Sequence, residues 1–217
     1  YPLRRQRQMC IRDSDKVSLF GDLQLRNVTY KTSGITSDLV PFNIDENYTF
    51  FNPKAGINYR INPNNSLYFS YARANREPNR SDFENNNEVK PEQLDDFELG
   101  WRWNGENFTV NTNAYYMLYN DQLVLTGALD DTGTPLRTNS GKSYRLGLEI
   151  EASFKLSKQF TVRPNVAIST NKNVDFIASR DGSLVNLGNT DISFSPNFIA
   201  GNLSLIHISE PTRQEAI

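Results

Sequence analysis

The sequence predicts an all-β chain, an antiparallel up-and-down meander of about eight long strands that forms part of a larger transmembrane β-barrel. Three observations predict this fold. Apolar and polar residues alternate along most of the chain, the alternating runs are long, and short connections between the runs alternate with long ones. Because successive side chains of a strand point to opposite faces, alternation gives each run one apolar and one polar face.

Alternation defines the first four strands, and it is clearest in the fourth, where Leu99 and Trp101 are flanked by Glu98, Gly100 and Arg102. The four strands are predicted at residues 17–30, 48–61, 66–74 and 93–104. Their apolar rows are, in order, Val17, Leu19, Leu23 and Leu25; Phe51, Ala55, Ile57, Tyr59 and Ile61; Leu67, Phe69 and Tyr71; and Phe97, Leu99, Trp101 and Trp103.

The last four strands follow the same period of two. They are predicted at residues 108–120, 139–156, 160–172 and 190–203. Their apolar rows are Phe108, Val110, Thr112, Ala114, Tyr116 and Leu118; Tyr144, Leu146, Leu148, Ile150, Ala152, Phe154 and Leu156; Phe160, Val162, Val166 and Ile168; and Ile192, Phe194, Phe198 and Ala200. No helix is predicted.

Strand length favours a membrane barrel over a soluble domain. Most of the predicted strands run about 12 residues or more, whereas strands of soluble proteins run about 5–6 residues and tilted membrane strands need about 9–11. Loop length supports the same conclusion, because outer-membrane barrels have short periplasmic turns and long extracellular loops. The short connections are 62–65, 105–107 and 157–159, and the long ones are 31–47, 75–92, 121–138 and 173–189.

Aromatic residues are placed toward the predicted strand ends. Trp101, Trp103, Tyr116, Tyr119 and Tyr59 would suit the aromatic belts that membrane barrels place at both interfaces. Aromatic residues also favour strands in general, so the positions alone leave both interpretations open.

Two terminal segments depart from the alternating pattern. Residues 1–14 are rich in arginine and show neither strand alternation nor the apolar stretch of a secretory leader, and residues 204–217 break the pattern of the strand before them. Both resemble translated sequencing-adapter DNA. We therefore predict a non-native leader at 1–14, a partial transmembrane β-barrel at 15–203 and a non-native tail at 204–217.

Composition excludes several functions. The chain has 23 Lys and Arg against 25 Asp and Glu, without the basic excess that a general nucleic-acid binder needs. The single cysteine, Cys10, and the single histidine, His207, both lie in the terminal segments, so residues 15–203 cannot build a Cys/His zinc site or a Cys–His or Ser–His catalytic pair. We predict no metal site, no cofactor and no catalytic residue, and hence no enzyme.

Four segments carry a family resemblance. Residues 70–83 read SYARANREPNRSDF, residues 89–100 read VKPEQLDDFELG, residues 113–123 read NAYYMLYNDQL and residues 137–151 read RTNSGKSYRLGLEIE. In this order they resemble successive barrel strands of TonB-dependent receptors, and most of all the iron-complex receptors of the Bacteroidetes type.

The resemblance implies a place in the bacterial outer membrane. Full members have a 22-stranded barrel closed by an N-terminal plug. This chain would supply about eight strands of that barrel. The implied function is energy-coupled uptake of a small ligand such as a ferric siderophore. The implied partners are outer-membrane lipid, the ligand, and TonB through an N-terminal part that lies outside these residues.

Arginines near the third strand are the candidate ligand-binding residues. Arg73, Arg76 and Arg80, with Tyr71 and Phe83 nearby, would suit an anionic siderophore–iron complex. The simpler interpretation, which we favour, is a solvated loop whose arginines pair with acidic neighbours.

An acidic segment allows a second pair of interpretations. Glu92, Asp95, Asp96 and Glu98 could hold calcium or act as general acids and bases, but solvated loop and lumen positions explain them better.

Two alternatives remain open for the function. One is a passive porin-type outer-membrane barrel, which would lack a plug. The other is a soluble carbohydrate-binding or adhesion β domain, which would pack its apolar faces against a second sheet.

Overall fold

The computed structural model describes residues 3–11, 14–35, 41–84, 89–129, 133, 135–180 and 183–206. These residues form antiparallel strands almost throughout, as predicted. Within the described ranges, no helix is long and apolar enough to cross a membrane. The strands are β1 (Leu3–Ile11), β2 (Val17–Ile35), β3 (Pro41–Asn62), β4 (Asn65–Arg76), β5 (Glu92–Asn104), β6 (Phe108–Asn120), β7 (Leu123–Leu129), β8 (Pro135–Asn139), β9 (Lys142–Lys155), β10 (Phe160–Val174), β11 (Ile177–Arg180), β12 (Ser183–Asn186), β13 (Thr190–Asp191) and β14 (Phe198–Ile206).

A single sheet joins the long strands in the order β1-β2-β3-β4-β5-β6-β9-β10, and β10 then pairs with both β13 and β14. The order follows the chain, so the predicted up-and-down meander is confirmed. The pairs β7–β8 and β11–β12 form separate two-stranded hairpins within two of the long connections. Short turns therefore lie at one end of the sheet, called here the short-turn end, and the long connections lie at the opposite loop end.

Apolar side chains of neighbouring strands align on one face of the sheet. The register places Leu99 of β5 opposite Phe69 of β4 and Ala114 of β6. Leu99 is 56% exposed, and no second layer among the described residues covers this face. A contiguous exposed apolar surface of this kind suits contact with lipid, not water. One complete row of this apolar face is Leu19, Ile57, Phe69, Leu99, Ala114, Leu148, Ile168 and Phe198.

The opposite, polar face contains cross-strand pairs of an aromatic residue with a glycine. In β4 and β5, Tyr68 is paired with Gly100, and a Cβ added to Gly100 would overlap the Tyr68 ring. Glycine therefore lets the ring lie flat on the neighbouring strand, a device that shields the glycine backbone. The same arrangement occurs in the pairs Phe20–Gly56 and Tyr115–Gly147.

Two predicted strands are longer in the structure. β2 continues to Ile35 instead of ending at residue 30, and β3 begins at Pro41 instead of at residue 48. The apolar pattern fades there, but backbone pairing continues residue by residue up to Ile35 and Pro41. Residues 30–35 of β2 and 41–47 of β3 are called here the arm. An ion pair of 2.7 Å between Lys31 and Asp45 helps to hold the arm together.

The prediction that the chain contains no helix is wrong at one place. A short helix, α1 (Arg80–Glu84), lies in the connection between β4 and β5. Its signal is local: Asn79 accepts a hydrogen bond from the Asp82 amide (3.0 Å), and Asp82 accepts one from the Asn79 amide (2.9 Å). These reciprocal bonds are those of a capping box, in which the first and fourth residues cap the helix together.

The last predicted strand, 190–203, is divided in the structure. β13 ends at Asp191 and β14 begins at Phe198, because Phe194 has a left-handed backbone (φ 56°) and Pro196 has no amide hydrogen to donate. The sixth predicted strand, 139–156, is likewise shortened to β9, since Gly141 has a φ of 72°.

The terminal segments continue the sheet at both edges. β1 lies within the predicted leader and pairs with β2, and β14 extends three residues beyond the predicted end at 203. The register pairs Arg5 with Leu25 and Arg7 with Leu23.

That residues 1–14 and 204–217 are non-native stays a prediction. We expect peptide mapping of the natural full-length protein to recover the sequence of 15–203 without either segment attached. Recovery of a peptide that runs continuously from residue 7 to residue 20 would contradict the assignment.

The aromatic–glycine pairs predict a cost for filling the glycine position. Gly100→Ala should lower the unfolding free energy of the full-length protein by about 1–2 kcal/mol, because the Tyr68 ring must leave its place. Urea-dependent loss of heat-modifiable migration measures this change. Gly34→Ala is the matched control, since nothing lies within 4 Å of an added Cβ there. Equal urea midpoints for the two variants would show that the ring is not seated on Gly100.

Candidate functional site

The polar face carries a connected group of side chains near its middle. The Arg102 guanidinium lies 4.5 Å from the centre of the Tyr68 ring, and the Tyr68 hydroxyl donates to Asn113 Oδ1 (3.0 Å). The register places Glu149 beside Asn113, and Glu151 beside Asn111. Neither glutamate has an ion pair within the described residues, and both are exposed. This group can hydrogen-bond water or a polar partner, and it contains no nucleophile with a base.

The acidic segment that begins β5 is distributed over both faces instead of forming one cluster. Asp95 lies on the apolar side with Arg73, while Glu92 lies on the polar side and accepts a hydrogen bond from the Leu123 amide (2.9 Å). Strand alternation separates neighbouring carboxylates in this way. Among the residues that the structure describes, no group of three or more His, Cys, Asp or Glu side chains could hold a metal ion.

At the loop end, apolar residues form a small core of their own. Phe83 of α1 is 1% exposed and stacks on Tyr30 of the arm, with ring centres 5.8 Å apart. The residues of this loop core are Tyr30, Ile44, Phe83, Val89 and Leu123. Phe83 and Val89 of the connection between β4 and β5 therefore pack between the β2–β3 arm and the start of β7.

Polar contacts fasten the β4–β5 connection to β2 and β3. Arg26 forms a 2.6 Å ion pair with Glu77 and donates to the Asn75 carbonyl (2.9 Å). A chain of amides runs alongside, in which Asn75 donates to Asn52 Oδ1 (2.8 Å) and Asn52 donates to Gln24 Oε1 (2.9 Å). Partly buried, charge-assisted contacts such as these are stronger than exposed ones.

The other side of the same connection is held by the β7–β8 hairpin. The Lys90 amide donates to Asn139 Oδ1 (2.9 Å), and Asn139 Nδ2 donates back to the Lys90 carbonyl (3.0 Å). Asp82, 1% exposed, lies 3.9 Å from Arg137 Nη1. Described residues of three long connections therefore contact one another at the loop end.

The predicted ligand-binding arginines do not converge. Arg73 donates from Nε and Nη2 to the two carboxylate oxygens of Asp95 (2.7 and 2.9 Å), and the Tyr71 hydroxyl donates to the same carboxylate (2.6 Å). By alternation, Arg73 and Asp95 continue the row of Tyr71 and Phe97 on the apolar face. Arg73 is thus committed to an ion pair on the outside of the wall.

Arg76 and Arg80 are placed differently. Arg76 belongs by alternation to the polar face, and its Nη2 lies 3.6 Å from Glu92 Oε2, with 44% of the arginine side chain exposed. Arg80 is the exposed first residue of α1. The partner expected for an arginine in the simpler interpretation is therefore present for Arg73 and Arg76. Ligand contact by any of the three stays a prediction.

Two groups of rings bracket the apolar face. At the short-turn end, Trp103 is 6.0 Å from both Trp101 and Phe108, and Phe108 is 4.9 Å from Phe154. Toward the loop end, Tyr71 is 5.0 Å from Phe97, and Tyr116 is 6.2 Å from Tyr144. From Asp95, near the loop end, to Trp103, in the ring group at the short-turn end, β5 runs for nine residues. This length fits a tilted membrane strand.

Tyr119 does not lie on the apolar face, where an aromatic belt would place it. It lies on the polar face by its pairing with Leu94, and the Arg145 guanidinium is 5.9 Å from its ring.

Residues with a visible role at the loop end were not predicted as such. Glu77, Asp82, Arg137 and Asn139 hold the connections together. The spacing of Asn79 and Asp82 is the one signal that could have indicated α1 from the sequence. The other contacts join residues 49 to 55 positions apart, so no local pattern indicates them.

An apolar outside, a polar inside, ring rows at two levels and long connections at one end define the wall of an outer-membrane β-barrel. Residues 13–208 match the family described as TonB dependent receptor-like, beta-barrel. The chain therefore belongs to the TonB-dependent receptor family, as part of its barrel. A comparison with curated proteins gives no match.

Solved structures share the fold. The copper transporter OprC is similar with a TM-score of 0.70 and 17% identity, over 79% of this chain and 29% of that chain. The siderophore receptor PiuA from Acinetobacter baumannii has the same TM-score and identity, over 90% and 29%. The ferric yersiniabactin uptake receptor FyuA from Yersinia pestis has a TM-score of 0.68 and 17% identity, over 97% and 32%. The chain thus spans about a third of the length of these proteins.

The loop core predicts how the β4–β5 connection responds when a buried ring is removed. Phe83→Ala should lower its local unfolding free energy by about 3 kcal/mol, because the removed ring is almost fully buried. Limited proteolysis of the full-length receptor should then cleave residues 77–91 much faster than in the wild type.

Lys31→Ala serves as the control for this experiment. Its ion pair with Asp45 is exposed on both sides (65% and 62%), and such pairs contribute less than about 1 kcal/mol. Unchanged cleavage of the Phe83→Ala variant would argue against a folded connection.

Proposed function

We propose that this chain forms part of the barrel of an outer-membrane receptor for the energy-coupled uptake of a small ligand such as a ferric siderophore. The observation that carries the proposal is the apolar face at the level of membrane strands, joined to ordered connections at one end, in a chain of the TonB-dependent receptor family. The narrower resemblance to iron-complex receptors of the Bacteroidetes type belongs to this proposal as well.

Each region of the chain has its own part in this function. The apolar face contacts outer-membrane lipid, and the polar face lines a wet lumen. The connections at the loop end point to the cell exterior, and the loop core among their described residues is formed before ligand arrives, which reduces the entropy lost on binding. No reaction is proposed, since uptake needs binding and release but no bond-breaking step on this chain.

Arg76 and Arg80 are the better placed of the predicted ligand contacts. Both are exposed at the loop end, and a guanidinium suits the carboxylate, catecholate or hydroxamate oxygens of an anionic iron complex. Arg73 is the weaker candidate, because its Nε and Nη2 both donate to Asp95 on the apolar face.

Energy coupling would depend on residues outside this chain. We propose that the full-length receptor contacts TonB through its N-terminal part, and that movement of a plug opens the lumen. The passive porin-type barrel is the alternative function, and it would share the wall but not the requirement for energy.

Uptake by cells that carry the full-length receptor tests the proposal. Deletion of its gene should abolish accumulation of radioactive iron supplied as the cognate siderophore complex under iron limitation. Removal of TonB, or of the proton-motive force, should abolish it equally, because transport against a gradient needs coupled energy. Uptake that persists without TonB would favour the porin-type alternative.

Variants in the same cells test the arginines. Arg76→Gln should weaken ligand binding by about tenfold if one charge-assisted contact is lost. Arg73→Gln is the comparison variant and should leave ligand affinity unchanged. The reverse order of effects would contradict the assignment of the two faces.

A further inference from the structure

Arg26 on the polar face differs from other cations of the wall in the origin of its carboxylate. Ion pairs elsewhere in the described strands join residues that face each other in the register, namely Lys31–Asp45, Arg73–Asp95, Arg76–Glu92 and Lys172–Asp191. The register partner of Arg26 is instead Phe50. Its carboxylate comes from Glu77, the first residue after β4. The register therefore places an aromatic ring, and not an acid, directly opposite Arg26.

The wall around Arg26 has the features of an anion site. The guanidinium lies 4.9 Å from the centre of the Phe50 ring, and Phe50 is 7% exposed. A ring face supports a guanidinium without neutralising its charge. Toward the short-turn end, the ring is bordered by amides, since Asn52 donates to Gln24 Oε1 (2.9 Å). The wall thus positions the cation and leaves its charge to be matched by another group.

Glu77 matches that charge in the way a ligand carboxylate would. Arg26 Nη1 donates to Oε1 (3.2 Å), and Nη2 donates to Oε2 (2.6 Å). This paired geometry is the one by which arginine recognises a carboxylate, whether of a protein or of a ligand. The side chain of Arg26 is 14% exposed and that of Glu77 is 26% exposed. Glu77 is therefore the more accessible partner of a cation that is largely covered.

Exchange of Glu77 for another carboxylate is more favourable than its simple removal. Removal alone would leave a largely buried charge unpaired, which is strongly destabilising. An incoming carboxylate that accepts from the same two nitrogens restores the bonds that are lost. The β4–β5 connection need not leave the wall, because Asn75 accepts from Arg26 Nη2 at its carbonyl (2.9 Å) and donates to Asn52 (2.8 Å), and Phe83 stays in the loop core. Rotation of one side chain is sufficient.

Arg76 lies next to Glu77 in the chain and is one of the better placed ligand contacts of the proposed function. Arg76 belongs to the polar face, and 44% of its side chain is exposed. A ligand that contacts Arg76 is therefore brought to the end of β4 from which Glu77 reaches Arg26.

We propose that Glu77 is an internal competitor for a ligand carboxylate. The ligand is an iron chelate with free carboxylates, and one of these replaces Glu77 on Arg26. This inference rests on the proposed function and names carboxylate chelates as its ligand class. Because every ligand must displace Glu77 to reach Arg26, the contact discriminates against chelates that offer no carboxylate in exchange.

Equilibrium binding of ferric citrate to the full-length receptor in detergent micelles tests the exchange. Glu77→Gln should bind ferric citrate about tenfold more tightly than the wild type, because the competing carboxylate is gone. The gain should vanish in the double variant Arg26→Gln/Glu77→Gln, since the gain arises at the freed guanidinium. Glu77→Asp, which keeps the charge on a shorter side chain, should lie between the wild type and Glu77→Gln. Heat-modifiable migration verifies that each variant is a folded barrel.

Two controls separate exchange from other effects. Asp95→Asn removes the same charge from a pair in which Arg73 also donates from two nitrogens, but on the apolar face, so its affinity for ferric citrate should equal that of the wild type. Ferric desferrioxamine B, which holds iron with hydroxamates and carries no carboxylate, should bind the wild type and Glu77→Gln equally.

Four results would each overturn the proposal. They are an affinity of Glu77→Gln for ferric citrate no higher than that of the wild type, an equal gain in Asp95→Asn or with ferric desferrioxamine B, a gain that persists in the double variant, and absence of ferric citrate binding by both the wild type and Glu77→Gln.

Uptake of radioactive iron by cells distinguishes this inference from the proposed function. TonB-dependent uptake by the wild type, with no gain of affinity in Glu77→Gln, would reject the exchange and leave the transport proposal in place. A gain in micelles, with no TonB-dependent uptake in cells, would reject the transport proposal while the exchange at Arg26 stands.

Discussion

Backbone hydrogen bonding between neighbouring strands is the constraint on which the rest of this structure depends. In hydrocarbon, an unpaired amide or carbonyl has no water to bond, so a spanning sheet must pair along its whole length. Pairing in register fixes which side chains share a face, and one row of apolar residues runs across eight strands as a result. The exposed apolar face, the polar face and the levels of the ring rows all follow from that register.

Burial is reversed between the wall and the loop end. Leu99 in the wall is 56% exposed, whereas Phe83 at the loop end is 1% exposed. The physical reason is a change of solvent, because the apolar face meets lipid while the connections meet water and must bury their apolar residues in the usual way. The same change explains where charges occur on the outside of the wall, since Arg73, Lys142 and Lys172 all lie near its loop end.

Local order at the loop end has consequences for recognition. The β4–β5 connection is joined to β2 through Arg26 and to the β7–β8 hairpin through Asn139. A ligand that contacts one connection therefore meets a surface set by three.

Alternation, run length and loop length in the sequence determined the antiparallel meander, the positions of its long strands and the division into two faces, because a period of two is a local property of each strand. The family resemblance was equally local, since it depends on four short segments. The helix at Arg80–Glu84 has a local signal in Asn79 and Asp82, and a local change of backbone conformation at Phe194 divides the last strand. Tertiary structure alone decided the loop core around Phe83. It also paired Arg73 with Asp95 and Arg76 with Glu92 across β4 and β5. These features depend on contacts between residues far apart in the chain, whose pairing only the folded register brings together.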